Sequence, residues 1–185
     1  MITMTSTSVL RRINDRLVAP RASQGELLVA YTTAVAGSAL ATVLAADAGV
    51  PALPLVVVAV VAFDLFGGAV VNATPAAKRR FHGPGRTRRH HLGFVVAHVQ
   101  PFVLALVVPG FGWTAAAVVY GLVVVGAAVV LAAPEELRRP VAFAATVLAV
   151  AAVLVAVAVP TALAWVAPVL FVKLLLGHLL PGEAA

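Results

Sequence analysis

The sequence predicts an all-α polytopic membrane helix bundle of about six transmembrane helices with both termini cytoplasmic. Three observations carry that prediction. Of the 185 residues, 62% are hydrophobic and only 11% charged, against roughly a quarter charged in a soluble domain. The apolar residues fall into six runs close to the ~20 residues a spanning helix needs. With six spans, every connection rich in Lys and Arg falls on one side, as the positive-inside bias demands.

The elements follow in chain order. Residues 1–23 form a polar, basic segment with Arg11, Arg12, Arg16 and Arg21, expected to be loosely packed with an interfacial helix around 8–17. One transmembrane domain, 24–181, comes next. Its first span, 27–46, closes at Asp47 and the Gly49-Val50-Pro51 break. That run exceeds the 7–15 apolar residues of a signal peptide, so Ala46-Asp47-Ala48 is read as a helix end and not as a cleavage site. The second span, 53–74, is interrupted by Asp64. A connection with Lys78, Arg79, Arg80, Arg86, Arg88 and Arg89 follows, with Gly83-Pro84-Gly85 at its centre. The long apolar stretch from Leu92 is divided by Pro109-Gly110-Phe111-Gly112 into spans 92–108 and 113–132. A polar turn, Pro134–Pro140, carries Arg138 and Arg139, and Pro160 divides the rest into spans 141–159 and 162–180. Residues 182–185 are a short tail.

Polar side chains inside these spans are few, and each costs at least a few kcal/mol unless it is partnered. They are Asp64 and Asn72 on the second span, His91, His98 and Gln100 on the third, and Lys173 and His178 on the sixth. At about 100° per residue, Asp64, Gly67, Gly68, Val71 and Asn72 share one broad face of the second span. The glycines let a neighbouring helix come close. His91 and His98 lie on one stripe, Gln100 points nearly opposite to His98, and Lys173 and His178 do not share a face of an α-helix. Rises of ~1.5 Å per residue put all of them at mid-depth or in the cytoplasmic half. A cytoplasm-facing intramembrane site with Asp64 and His98 as its catalytic pair is therefore expected. Asn72, Arg79, Arg80, Arg88, Arg89 and Lys173 would bind substrate there. Asn72 doubles as an interhelical hydrogen-bond donor, and Lys173 could instead snorkel to the headgroups along its own stem.

Several chemistries are excluded or weakened. The chain has no cysteine, which removes disulfides, thiolate nucleophiles, Cys-ligated zinc and iron–sulfur clusters; no dinucleotide cofactor is expected either. Histidines at the i, i+4 spacing of a di-iron desaturase are missing. His91 and His98 sit on one face, so they cannot be the two axial ligands of one haem. A single divalent metal held by Asp64, His91 and His98 is the metal set on offer. The net charge of +6 flanks apolar spans, so the expected partner is a bilayer with anionic headgroups at its inner leaflet, with no nucleic acid. A homodimer would enlarge so small a membrane domain.

The order D-x-x-G-G-x-x-x-N, a basic loop with histidine, then H-x(6)-H-x-x-P resembles a pattern in small prokaryotic integral membrane proteins. The resemblance covers about residues 63–102 and implies no particular activity. The functional expectation is a protein of the cytoplasmic membrane that binds or modifies an anionic, lipid-like amphiphile. A small proton-coupled transporter or an accessory membrane subunit is the alternative.

Overall fold

The computed structural model describes residue 9 and residues 12–182. Helix dominates these residues and no strand occurs among them. Six helical segments are long and apolar enough to cross a membrane: Gln24–Asp47, Ala52–Ala73, Arg88–Val107, Trp113–Ala132, Glu135–Ala156 and Thr161–His178. They match the six expected spans, with shifts at the ends. The largest shift is in the fifth, where the helix begins at Glu135 and runs through Pro140. Two acidic residues in its first turn suit the positive end of the helix dipole, so the polar turn expected at 134–140 is the start of the helix.

The first two spans form a close antiparallel pair because small residues line the contact. Ala30, Ala34, Gly37, Ala41 and Ala45 make a buried stripe on the first span. A side-chain carbon on Gly37 would sit 2.6 Å from Phe66 Cβ, and one on Gly67 would sit 2.7 Å from Ala34 Cβ. Ser38 Oγ donates across the interface to the Ala59 carbonyl at 2.8 Å. Backbones can approach this closely only where side chains are small.

The sixth span is the central one. In its most apolar stretch 61% of residues are buried, against 22–39% for the other five. It is also the least regular, with a 3₁₀ turn at Thr161–Leu163, an α-helix at Val166–Phe171 and a π-helix at Val172–His178. The third span is likewise divided, into Arg88–Val96 and Gln100–Val107. Pro101 explains the break: it has no N–H, and its ring excludes the carbonyl four residues back.

The basic segments meet at one end of the bundle. A short helix, Pro75–Phe81, is capped by Thr74, whose Oγ accepts from Ala77 N at 3.2 Å. Glu26 closes a capping box with Ser23 on the first span and also accepts from Ala76 N at 2.9 Å. Residues 12–17 are helical, and Val18 and Ala19 are buried against Ala30, Val71, Ala76 and Ala77. Tyr31 donates to Asn14 Oδ1 at 2.7 Å, and Arg80 donates to the Asp15 carbonyl at 2.9 Å. Residues 14–19 are thus packed onto the bundle, where the sequence led us to expect a loose segment. The outer part of the interfacial helix expected at 8–17 (residues 8, 10 and 11) lies outside the described residues.

Candidate functional site

Two groups of polar side chains occupy the basic half of the bundle, one at mid-depth and one at the end. The mid-depth group centres on Asp64. Its Oδ2 accepts from Lys173 Nζ at 2.7 Å and from Gln100 Nε2 at 2.9 Å. Lys173 donates also to the Asp64 carbonyl at 3.1 Å. The pair is asymmetric: the lysine side chain is 3% exposed and the aspartate side chain 49%. Lys173 therefore keeps its ammonium inside the bundle and does not snorkel. Asp64 opens onto the flank.

Glycine makes the pair sterically feasible. A side-chain carbon on Gly68 would lie 2.5 Å from Lys173 Cε and 2.7 Å from Nζ, so the lysine occupies a notch in the second span. Gly67 faces the first span and Gly68 the sixth, and the expected single packed face is two faces. Asn72 is buried and donates from Nδ2 to the Lys173 carbonyl at 3.1 Å. It ties the two spans together one turn from the notch.

The break in the third span sets His98. With the helix interrupted at 97–99, the His98 amide bonds back to Val95 O at 3.0 Å. The Phe94 carbonyl, which a regular helix would satisfy with that amide, instead accepts from His98 Nδ1 at 2.6 Å. A carbonyl can only accept, so Nδ1 carries the proton in the neutral ring and Nε2 holds the free lone pair. His98 is buried. The charges of Lys173 and Asp64 lie near enough to act on it. The spans carrying Asp64, His98 and Lys173 do converge, although no hydrogen bond joins His98 to Asp64.

The second group contains His82, His91 and His178. His91 Nδ1 and His178 Nε2 are 3.2 Å apart, and His82 Nε2 donates to the His178 carbonyl at 2.8 Å. The His82 and His91 ring centroids are 4.5 Å apart. Phe94 stacks on His178 at 3.9 Å and contacts His98 at 4.6 Å, so its ring separates the two groups. Lys173 and His178 stand on one side of their helix after all. In a π-helix residues five apart are hydrogen-bonded neighbours, and Val172–His178 is such a helix.

Lys78 caps this end by donating to the Gly177 and Leu180 carbonyls. Burial pushes its ammonium down to about 8. Burial also holds His82 below the ordinary imidazole range; the neighbouring charges of Lys78 and Arg138 act in the same direction, against the bond to His178. His90 is turned toward its own helix start, accepting from Thr87 N at 3.1 Å. Arg79, Arg88 and Arg89 are exposed at the basic end, whereas Arg80 is held by Asp15 and Phe81.

Among the described residues, no group of three or more His, Asp or Glu side chains is arranged to hold a metal ion. Of the three ligands the sequence offered, Asp64 is engaged with Lys173 and Gln100, His91 with His178, and His98 with Phe94. An apolar cavity lined by Phe111, Val119, Val153, Leu163 and Val166 lies at the opposite end and takes no part. Comparison with family models, with curated proteins and with solved structures finds no match.

Proposed function

We propose that the chain is a multi-pass protein of the cytoplasmic membrane, with both termini and the basic end inside, that binds or modifies an anionic, lipid-like amphiphile at the inner leaflet. The observation that carries this reading is the asymmetric ion pair. A carboxylate half-open on the flank of a spanning helix costs at least a few kcal/mol against hydrocarbon, and a polar group arriving laterally in the leaflet would relieve that cost. Lys173, sealed behind it, donates to Asp64 Oδ2 at 2.7 Å and fixes the carboxylate in place. His98, with Nδ1 fixed on a carbonyl, presents Nε2 as the nitrogen able to take or give a proton. Exposed Arg79, Arg88 and Arg89 supply positive charge where headgroups lie.

The test is mass spectrometry of lipids retained by the purified protein, with Asp64→Asn and His98→Ala beside it and metal content read on the same preparations. An anionic amphiphile enriched on the wild type and lost in Asp64→Asn is expected. Equal lipid profiles in all three would overturn the reading.

A second reading, a small proton-coupled transporter, is favoured by one specific observation. The third and sixth spans are irregular beside His98 and Lys173, and discontinuous helices with buried ionisable residues are what carriers use at their sites. Proteoliposomes acidifying under a pH gradient in an Asp64-dependent way would select it.

A further inference from the structure

The charges that act on His82 and His91 are all of one sign. The ionisable groups acting on His82 are Lys78 and Arg138. Those acting on His91 are His82, Arg138, Arg86 and His90. None is a carboxylate, and the Lys173–Asp64 ion pair is in the other group. Two buried polar atoms in the same region have no hydrogen-bond partner: Arg138 Nε and His178 Nδ1. A buried donor without an acceptor costs ~1–3 kcal/mol, and native proteins leave few. Three spans and a short helix converge on this spot: the third span gives His91, the fifth Arg138 and the sixth His178, while the short helix after the second gives Lys78 and leads into His82.

We infer that Arg138, with His82, His91 and Arg86, forms a binding site for a phosphate-type oxyanion. The chemistry fits the donors. A guanidinium presents N–H groups in a planar fork that matches two phosphate oxygens. His91 keeps its Nε2 free of the contact with His178, and His82, whose Nε2–H is held by the His178 carbonyl, donates from Nδ1 once it is protonated. The site deepens the amphiphile reading by placing the headgroup at the basic end, with the Phe94 ring between it and the group around Asp64. The same chemistry would take free phosphate, so the experiment must separate the two sources.

Binding of radiolabelled inorganic phosphate is measured on purified full-length protein, and binding to nanodiscs is compared between phosphatidic acid and phosphatidylcholine. Arg138→Gln is expected to weaken oxyanion binding at least tenfold, with Arg138→Lys intermediate. Arg16→Gln removes the same charge from an exposed position at the same end and is expected to leave binding within twofold. Helical content by circular dichroism confirms that each variant folds. Binding of free phosphate lost in Arg138→Gln supports a soluble oxyanion, and loss of the phosphatidic acid preference alone supports a headgroup. Equal effects of Arg16→Gln and Arg138→Gln would overturn the site. A phosphatidic acid preference that survives Arg138→Gln would overturn it too, yet leave the amphiphile reading standing; a wild type that shows neither phosphate binding nor a phosphatidic acid preference would overturn both.

Discussion

Removing the Asp64 charge should cost more than removing the Lys173 charge, because the two ends of the pair are so unequally covered. In Asp64→Asn the ammonium stays 97% covered and loses its counter-ion. It keeps only the residue-64 carbonyl, 3.1 Å away, and whatever the new amide oxygen offers. Breaking a buried pair from one side costs ~3–5 kcal/mol; the retained carbonyl places this case near the lower end, about 3 kcal/mol. In Lys173→Met the carboxylate keeps Gln100 at 2.9 Å, and in a micelle water can reach its open side, as local thinning and water defects reduce the cost of such a charge in a bilayer, so the loss should be about 1–2 kcal/mol. The combined Asp64→Asn/Lys173→Met variant carries no stranded charge, and methionine fills the Gly68 notch. It should recover at least ~1 kcal/mol relative to the sum of the single losses, within the range for residues in contact. Reversible unfolding in mixed micelles, titrated with SDS, measures all four corners of the cycle. Losses that add to within ~0.5 kcal/mol, or a costlier Lys173→Met, would refute the reasoning.

Three further outcomes are expected. Gly37→Ala and Gly67→Ala must push apart atoms held by helix backbones, Phe66 Cβ and Ala34 Cβ, and should lower stability by ~1–3 kcal/mol in the same unfolding assay. Gly68→Ala meets only the flexible end of Lys173, so it should cost less while weakening the Asp64 coupling measured by the cycle. Burial lowers the affinity of His82 for protons, and Lys78 and Arg138 act in the same direction against the bond to His178. A bound oxyanion favours the charged ring, so binding takes up a proton and must strengthen as pH falls. Sulfate, whose charge stays constant, should bind more tightly at a pH of about 5.5 than at about 7.5, and His82→Gln should flatten that slope; an unchanged slope in the variant would exclude His82. Pro101→Ala restores an N–H and removes the clash with the preceding turn. The His98 amide should then compete with its own Nδ1 for the Phe94 carbonyl. ¹⁵N spectra of labelled histidine should show the Nδ1–H tautomer losing its dominance.

How much of this could be read from the chain differs between fold and site. The spans were legible because bilayer thickness fixes their length, and composition alone then marks them out. The convergence of Asp64, Asn72 and Lys173 was legible only as types at matching depths. Two features escaped because they depart from the 100° rule on which the reading rests. Lys173 and His178 are on opposite faces of an α-helix and on one side of the π-helix that actually forms. Gln100 points away from His98 in an unbroken helix, whereas the break at 97–99 turns it toward Asp64. The second departure did have a signal, since a proline three residues after an intramembrane histidine predicts a free carbonyl beside that histidine. The π-helix has no such marker in Val172–His178, where the only breaker is Gly177.

The stretch FDLFGGAVVN shows why the acid and the glycines belong together. Phe66 fills the hollow over Gly37 and Gly67 admits Ala34, which brings the first span in on one side. Gly68 leaves room for the lysine stem from the central helix, and Asn72 holds that helix by the carbonyl of the same lysine. Were the segment only structural, a leucine in place of Asp64 with a methionine at 173 would pack as well, since replacing a buried ion pair by apolar residues is often neutral or stabilising. Such a pair would, however, leave Gln100 Nε2 without its acceptor and Gln100 Oε1, already unpartnered, no better placed. The acid thus organises a third polar group that packing does not require, and it does so on the flank where a leaflet-borne ligand would arrive. Under the proposed function that arrangement has a use, which helix packing alone does not give it.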